Sequence, residues 1–295
     1  MPSSKRGYLY ALIATICGSL VYLFSKAALN DVSLAQFGFW WFLIAILWNG
    51  MMSAHPKGGF SIVNFTRSDY HSLLLIGIFE VVATVSFYAA IKITDNPTVP
   101  SFLRNLEYLF VTLLGVWVLS ERFTLKTGTG ALLILAGAFI ISFRDAGLNG
   151  FMTATAGLML VSTTFYAIRT LLVKKHIREI SPVVLALNRA VFLLLVAIVF
   201  IIIMKDSILI PQTAFLNILA GSFVGPFLTS NFQYSALRYI PASKAAIVQS
   251  TTGLFVLLGA VLMFGSLPTH IQIAGGLVTI AGVALMMLKG KAGAK

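Results

Sequence analysis

The sequence predicts an all-α integral membrane protein, with ten transmembrane helices arranged as two inverted five-helix repeats. Three observations lead there. Only 10% of the 295 residues are charged and 58% are hydrophobic, with a mean hydropathy of +0.93, whereas a soluble protein carries about 25% charged residues. The apolar residues gather into ten runs of the ~20-residue length that crosses a bilayer core. Segments of the first half also recur in the second at a nearly constant offset.

The runs are 8–29, 35–54, 70–92, 96–119, 125–143, 151–173, 182–204, 214–237, 241–264 and 269–288. The first, "YLYALIATICGSLVYLFSKAAL", follows Lys5 and Arg6 and has the outline of a secretory leader. It is longer than a leader's apolar core and has a counterpart later in the chain, so it is read as helix 1. The second holds Trp40 and Trp41, and the third Glu80. The fourth opens on Asn96-Pro97 and carries Pro100, Arg104 and Glu107. Its prolines suit a first helical turn, where the amide needs no partner within the helix; a bent helix that frees backbone groups is the other reading. The fifth, "LKTGTGALLILAGAFIISF", has Gly130 and Gly137 on one face. Tyr166 and Arg169 lie in the sixth, and Arg189 in the seventh, which follows Ser181-Pro182. Gly225-Pro226 interrupts the eighth, the ninth carries Gln249 and Thr252, and the tenth repeats the glycine spacing at Gly275 and Gly282. The longest connection, 55–69, is too short for a soluble domain, so the chain divides into repeats 1–148 and 149–295.

The net charge of +12 would suit a nucleic-acid partner, but its placement argues otherwise. Fourteen of the 21 basic residues, Lys5, Arg6, Arg122, Lys174 and Lys289 among them, fall on one side of a ten-span chain. Four fall on the other side, and Arg104, Arg169 and Arg189 lie within spans. That bias places both termini in the cytoplasm and the chain in the cytoplasmic (inner) membrane. Cys17 is alone, which rules out a disulfide framework and a cysteine metal site.

The repeat is weak at any one place. "YAAIKI" (88–93) resembles "YSALRYI" (234–240) at an offset of 146, and "LSERFTLKTGTGALLILAGAFI" (119–140) resembles "FGSLPTHIQIAGGLVTIAGVAL" (264–285) at 145. "KAALNDVS" (26–33) aligns with "KKHIREIS" (174–181) at 148. Five spans per repeat, an odd number, make the second half enter the membrane upside down, the construction of many secondary transporters.

On these residues the chain resembles the EamA-type members of the drug/metabolite transporter superfamily over its whole length. The marks are the duplicated ten-span pattern, Glu121-Arg122 before helix 5 and the Gly130–Gly137 spacing. Ser266-Leu267, Tyr108 and Gly253 depart from the family's usual residues. The resemblance implies a ten-helix exporter of small metabolites working by alternating access, with helices 5 and 10 outside the central cavity. It is similar in particular to that family's exporters of aromatic and other amino acids.

At a rise of 1.5 Å per residue, Arg104 and Glu107 stand about 12 and 16 Å inside the fourth run, near the bilayer midplane. Three apart, they can neutralise each other along one face, or line a solute path, as intramembrane charges commonly do. Glu80 shares a face with Thr84, Phe87 and Tyr88. A carboxylate left unpaired there would hold its proton and suit proton coupling; a salt bridge to Arg169 or Arg189 is the bland alternative. Gly225 and Pro226 weaken helix 8 beside Thr229, Ser230, Asn231 and Gln233, either as inter-helix glue or as a cavity wall. Gln249 and Thr252 match Arg104 and Glu107 at an offset of 145. Tyr108 and Tyr166 are deep aromatics suited to packing or to a cavity for bulky apolar groups. The expected cavity set is therefore Glu80, Thr84, Tyr88, Arg104, Glu107, Tyr108, Tyr166, Ser230, Asn231 and Gln249, with bends at Pro100, Gly225 and Pro226. The glycine faces of helices 5 and 10 suit close helix packing, with a homodimer contact as a second use.

The expected partners are a small-molecule solute and the lipid bilayer, without nucleic acid, metal or cofactor. Carriage of drugs or phosphorylated metabolites is the alternative within transport. An intramembrane enzyme is the alternative from another class, but the sequence has no HExxH or G-x-S-x-G, and Glu80 and Glu107 are the only acids within the spans.

Overall fold

A computed structural model describes residues 3–54, 66–119, 125–142, 154–176, 180–240, 245, 248–265, 267 and 269–287. Glu121-Arg122, Ser266, most of the 55–69 connection and the start of the ninth run fall outside them. Among the described residues all regular structure is helical. The helices are α1 (Ser3–Leu29), α2 (Leu34–Ala54), α3 (Arg67–Ile93), α4 (Thr98–Leu103), α5 (Leu106–Leu119), α6 (Leu125–Ser142), α7 (Ala154–His176) and α8 (Pro182–Met204). Then come α9 (Gln212–Ser222), α10 (Ser230–Tyr239), α11 (Thr252–Phe264) and α12 (His270–Met287). A π-helical turn, Phe223–Thr229, joins α9 to α10 into one interrupted helix. Among the described residues six helical segments are long and apolar enough to cross a bilayer: α1, α2, α3, α7, α8 and the joined α9–α10. Shorter apolar helices occupy the remaining runs.

Helices dominate because hydrocarbon leaves backbone groups no other partner than their own helix. Local signals set several ends. Thr66 caps α3 in a reciprocal box with Asp69, and Ser181 caps α8 ahead of Pro182, each supplying an acceptor to orphan amides of the first turn.

The helices pack in pairs: α1 along α9–α10, α2 along α8, α3 along α7, and α6 along α12. Small residues let the last pair approach closely. A Cβ on Gly137 would stand 2.5 Å from the Gly275 carbonyl oxygen, and one on Gly282 would stand 2.7 Å from that of Gly130. The glycine faces of the fifth and tenth runs therefore face each other within one chain, the small-residue packing that membranes favour. Exposed Leu195, Val199, Ile202 and Ile203 mark the outer face of α8, apolar as a lipid-facing surface must be.

The fourth run departs from expectation. Pro100 lies in the first turn of α4, and its carbonyl accepts from the Arg104 amide at 3.0 Å. The helix breaks four residues later, at Arg104-Asn105, and restarts at Leu106. Pro100 does not bend the helix, because a proline in the first turn has no internal amide bond to lose; the interruption lies at Arg104-Asn105. A second turn at Ser250-Thr251 precedes α11. The two restarts, Leu106 and Thr252, are 146 apart. By that register the counterparts of Arg104 and Glu107 are Ser250 and Gly253, one residue on from Gln249 and Thr252.

Candidate functional site

Five charged side chains meet where α3, α4, α5, α7 and α8 converge. Glu80, fully buried, bridges two guanidiniums: Arg169 Nε at 2.8 Å on one oxygen and Arg189 Nε at 2.9 Å on the other. Thr84, one turn on, donates to the same carboxylate at 2.9 Å and meets the Tyr166 hydroxyl at 2.8 Å. Both anticipated partners of Glu80 are present at once, so this carboxylate is not the unpaired acid that proton coupling would call for. Arg104 pairs with Glu107 at 3.2 Å. The second Glu107 oxygen accepts from Thr170 at 3.2 Å.

Tyr166 joins the two ion-pair groups. Its ring lies 4.3 Å from the Arg104 guanidinium and 5.1 Å from that of Arg169, close enough for attraction between a cation and a ring face. Phe87 adds a second ring under Arg104, at 5.3 Å. Arg189 is held from a third side, donating to Ser230 at 3.2 Å.

A cavity of about 70 Å³ opens beside this cluster. Arg104 and Arg189 line it, with Tyr22, Phe87, Tyr88, Tyr108 and Tyr166 as its rings, together with Gln233 and Gln249. Gly225 and Pro226 of the π-helical turn also line it. Neither glutamate does. A second cavity of about 210 Å³, almost wholly apolar, lies between α2, α3 and α8 and shares only the Tyr88 wall with the first.

The interrupted helix is stitched locally. Pro226 has no amide to donate, and the carbonyls around it find side chains instead: Thr229 donates to Val224 O at 2.6 Å and Asn49 to Pro226 O at 3.3 Å. Asn231 donates to Asn49 at 2.7 Å and to Phe227 O at 2.8 Å.

Of the ten expected site residues, Tyr88, Arg104, Tyr108, Tyr166 and Gln249 line the central cavity. Glu80, Thr84, Glu107 and Ser230 stand behind it and hold the arginines. Asn231 is engaged with Asn49. Sequence reasoning did not single out Tyr22 or Asn49. An asparagine inside the apolar "AILWNGMM" is a signal that could have found the second. Among the described residues no three metal-ligating side chains gather.

Comparison with known proteins places this bundle. The model of the EamA-like transporter family matches the chain twice, at residues 5–143 and 153–288. The chain belongs to the EamA-like transporter family. It is a multi-pass membrane transporter, not an enzyme. An uncharacterized transporter of Methanothermobacter thermautotrophicus is 24% identical over 97% of this chain and 87% of its own length. An uncharacterized transporter of Archaeoglobus fulgidus is 23% identical over 95% of this chain and 84% of its own. A solved crystal structure superimposes with a TM-score of 0.71 at 15% identity, covering 97% of this chain and 96% of that one, which is a likeness of fold. In this EamA-like transporter two arginines and a group of aromatic rings wall the central cavity.

Proposed function

We propose that this transporter exports small amphipathic metabolites, amino acids and aromatic amino acids first among them, by alternating access around the central cavity. One observation carries the reading: guanidiniums of Arg104 and Arg189 and the rings of Tyr22, Phe87, Tyr88 and Tyr166 line the same small cavity. A guanidinium is a fork for a carboxylate, and the rings suit an apolar side chain. Gln233 and Gln249, joined at 3.3 Å, offer amide oxygens to an ammonium.

The ten-span, inverted arrangement belongs to the same proposal. Exchanging the first five spans for the second five carries the α3–α7 pair onto α9–α10 with α1, and returns the α2–α8 and α6–α12 pairs to themselves. Packing that maps onto itself under such an exchange supports a duplicated, inverted build, which lets the two halves trade conformations. The charge bias supports an inner-membrane orientation with the amino terminus and the α7–α8 connection on the cytoplasmic side. A homodimer would have to use the exposed sides of α6 and α12, such as Leu132 and Leu277, since their glycine sides are engaged within the chain.

Flux of a labelled amino-acid panel in proteoliposomes, with and without a pH gradient, tests this. Saturable flux lost in Arg189→Gln supports the reading; no flux for any amino acid sinks it. Because both carboxylates are held by arginines, we expect the gradient to leave the flux unchanged.

A further inference from the structure

The charges of the central cluster do not cancel. Arg104, Arg169 and Arg189 face Glu80 and Glu107, and among the described residues no other charged side chain lines the cavity. Guanidinium stays protonated in any protein setting, and both glutamates lie in ion-pair geometry. The cluster therefore carries three positive charges against two negative.

The imbalance is also directed. Both carboxylates are behind the cavity wall: Glu80 is 0% exposed and Glu107 3%, against 13% for Arg189 and 20% for Arg104. A solute entering this cavity meets guanidinium donors and ring faces, and no anion. An uncompensated charge far from water is costly, so the bound solute that closes the balance is one carrying a single net negative charge.

We infer that the central cavity is a site for aromatic or otherwise apolar monocarboxylate anions, which it prefers over zwitterionic amino acids of the same side chain. This rests on the reading of the cavity as the solute site. It narrows that reading from amphipathic metabolites to net monoanions. The ammonium of a zwitterion adds a positive charge to a site that already has one in excess. A dianion overshoots in the other direction.

Four probes sharing one phenyl ring test the charge alone: 3-phenylpropanoate (monoanion), phenylalanine (zwitterion), phenethylamine (cation) and phenylsuccinate (dianion). Binding to the purified transporter in lipid nanodiscs is measured by calorimetry at neutral pH. Phenylpropanoate is expected to bind about tenfold tighter than phenylalanine, with phenethylamine weakest. Arg189→Gln removes the surplus while Glu80 keeps its pair with Arg169, and should move the preference toward phenylalanine. Glu107→Gln enlarges it and should move the preference toward phenylsuccinate. General destabilisation would weaken all probes alike, so opposite shifts in the two variants identify charge as the cause. Phenylalanine binding as tightly as phenylpropanoate overturns the inference and leaves the amino-acid reading standing. Phenylpropanoate bound with phenylalanine excluded supports the inference and ends the amino-acid reading. Binding of none of the four overturns both.

Discussion

Glu80 is the residue on which the cluster turns. Removing it would leave Arg169, 1% exposed, and Arg189 facing each other without a counter-charge. Breaking a buried ion pair from one side costs about 3–5 kcal/mol, because the remaining charge is desolvated and unpaired. Glu80→Ala is therefore expected to lower the thermal denaturation midpoint of the purified transporter sharply, while Thr84→Val, which removes the bonds to Glu80 and Tyr166 but strands no charge, should cost less, about 1–3 kcal/mol. Equal midpoints for the two variants would contradict this account. Tyr166 offers a gentler probe. Tyr166→Phe keeps the ring against Arg104 and Arg169 and loses only the bond to Thr84. It should retain most of the flux, whereas Tyr166→Ala removes the ring that spans both arginines and should lose most of it.

At the scale of elements, the α6–α12 contact and the π-helical turn invite opposite changes. Gly137→Val would drive a branched side chain into the Gly275 carbonyl and the Thr279 backbone, so the helices must part, at a cost of about 1–3 kcal/mol. Its denaturation midpoint should fall while solute affinity, set some helices away, stays near that of the parent. Pro226 sits in a π-helical turn at the cavity wall, a form of helix that recurs at functional sites. Pro226→Ala restores an amide donor and should raise the midpoint while slowing flux, if flexing at this turn is part of the transport cycle. A variant both more stable and as fast would remove the turn from the mechanism. How legible such features were in the sequence follows from their physics. Spans announce themselves because hydrocarbon requires ~20 apolar residues, and Gly225-Pro226 is a local signal. The break at Arg104-Asn105 was not legible, since Pro100 drew attention to a turn where proline does no harm. Nor could spacing decide among Glu80 facing Arg169, Arg189 or the cavity. Each helix turns about 100° per residue, and the rotation of α7 and α8 is set by packing that no local pattern encodes. Three arginines and two acids were countable in the sequence; that two of the arginines and neither acid line the cavity was not.

Across the whole molecule, two lysines occupy matched places at opposite ends of the bundle. Lys26, in the last turn of α1, donates to the Lys92 carbonyl that ends α3, at 3.3 Å, while Lys92 returns bonds to Leu29 O at 3.1 Å and Val32 O at 2.7 Å. Lys174, in the last turn of α7, donates to Leu237 O at 2.7 Å, near the end of α10. Sequence alignment pairs Lys26 with Lys174, and an ammonium at a helix C-terminus meets unpaired carbonyls and the negative end of the helix dipole. In the inverted arrangement we propose, the first lysine ties together the outer ends of spans 1 and 3, and the second ties the inner ends of spans 6 and 8. All four spans contribute residues to the central cavity. Weakening one tie should favour opening on its own side only. Lys26→Gln is then expected to raise the reactivity of a single cysteine at Ala14, on the cavity wall, toward a charged thiol reagent added outside right-side-out vesicles, in a Cys17→Ser background. Lys174→Gln should lower that outside reactivity and raise it in inverted vesicles. Changes of the same sign in both variants would mean that the lysines merely stabilise the bundle and that the two ends do not trade places.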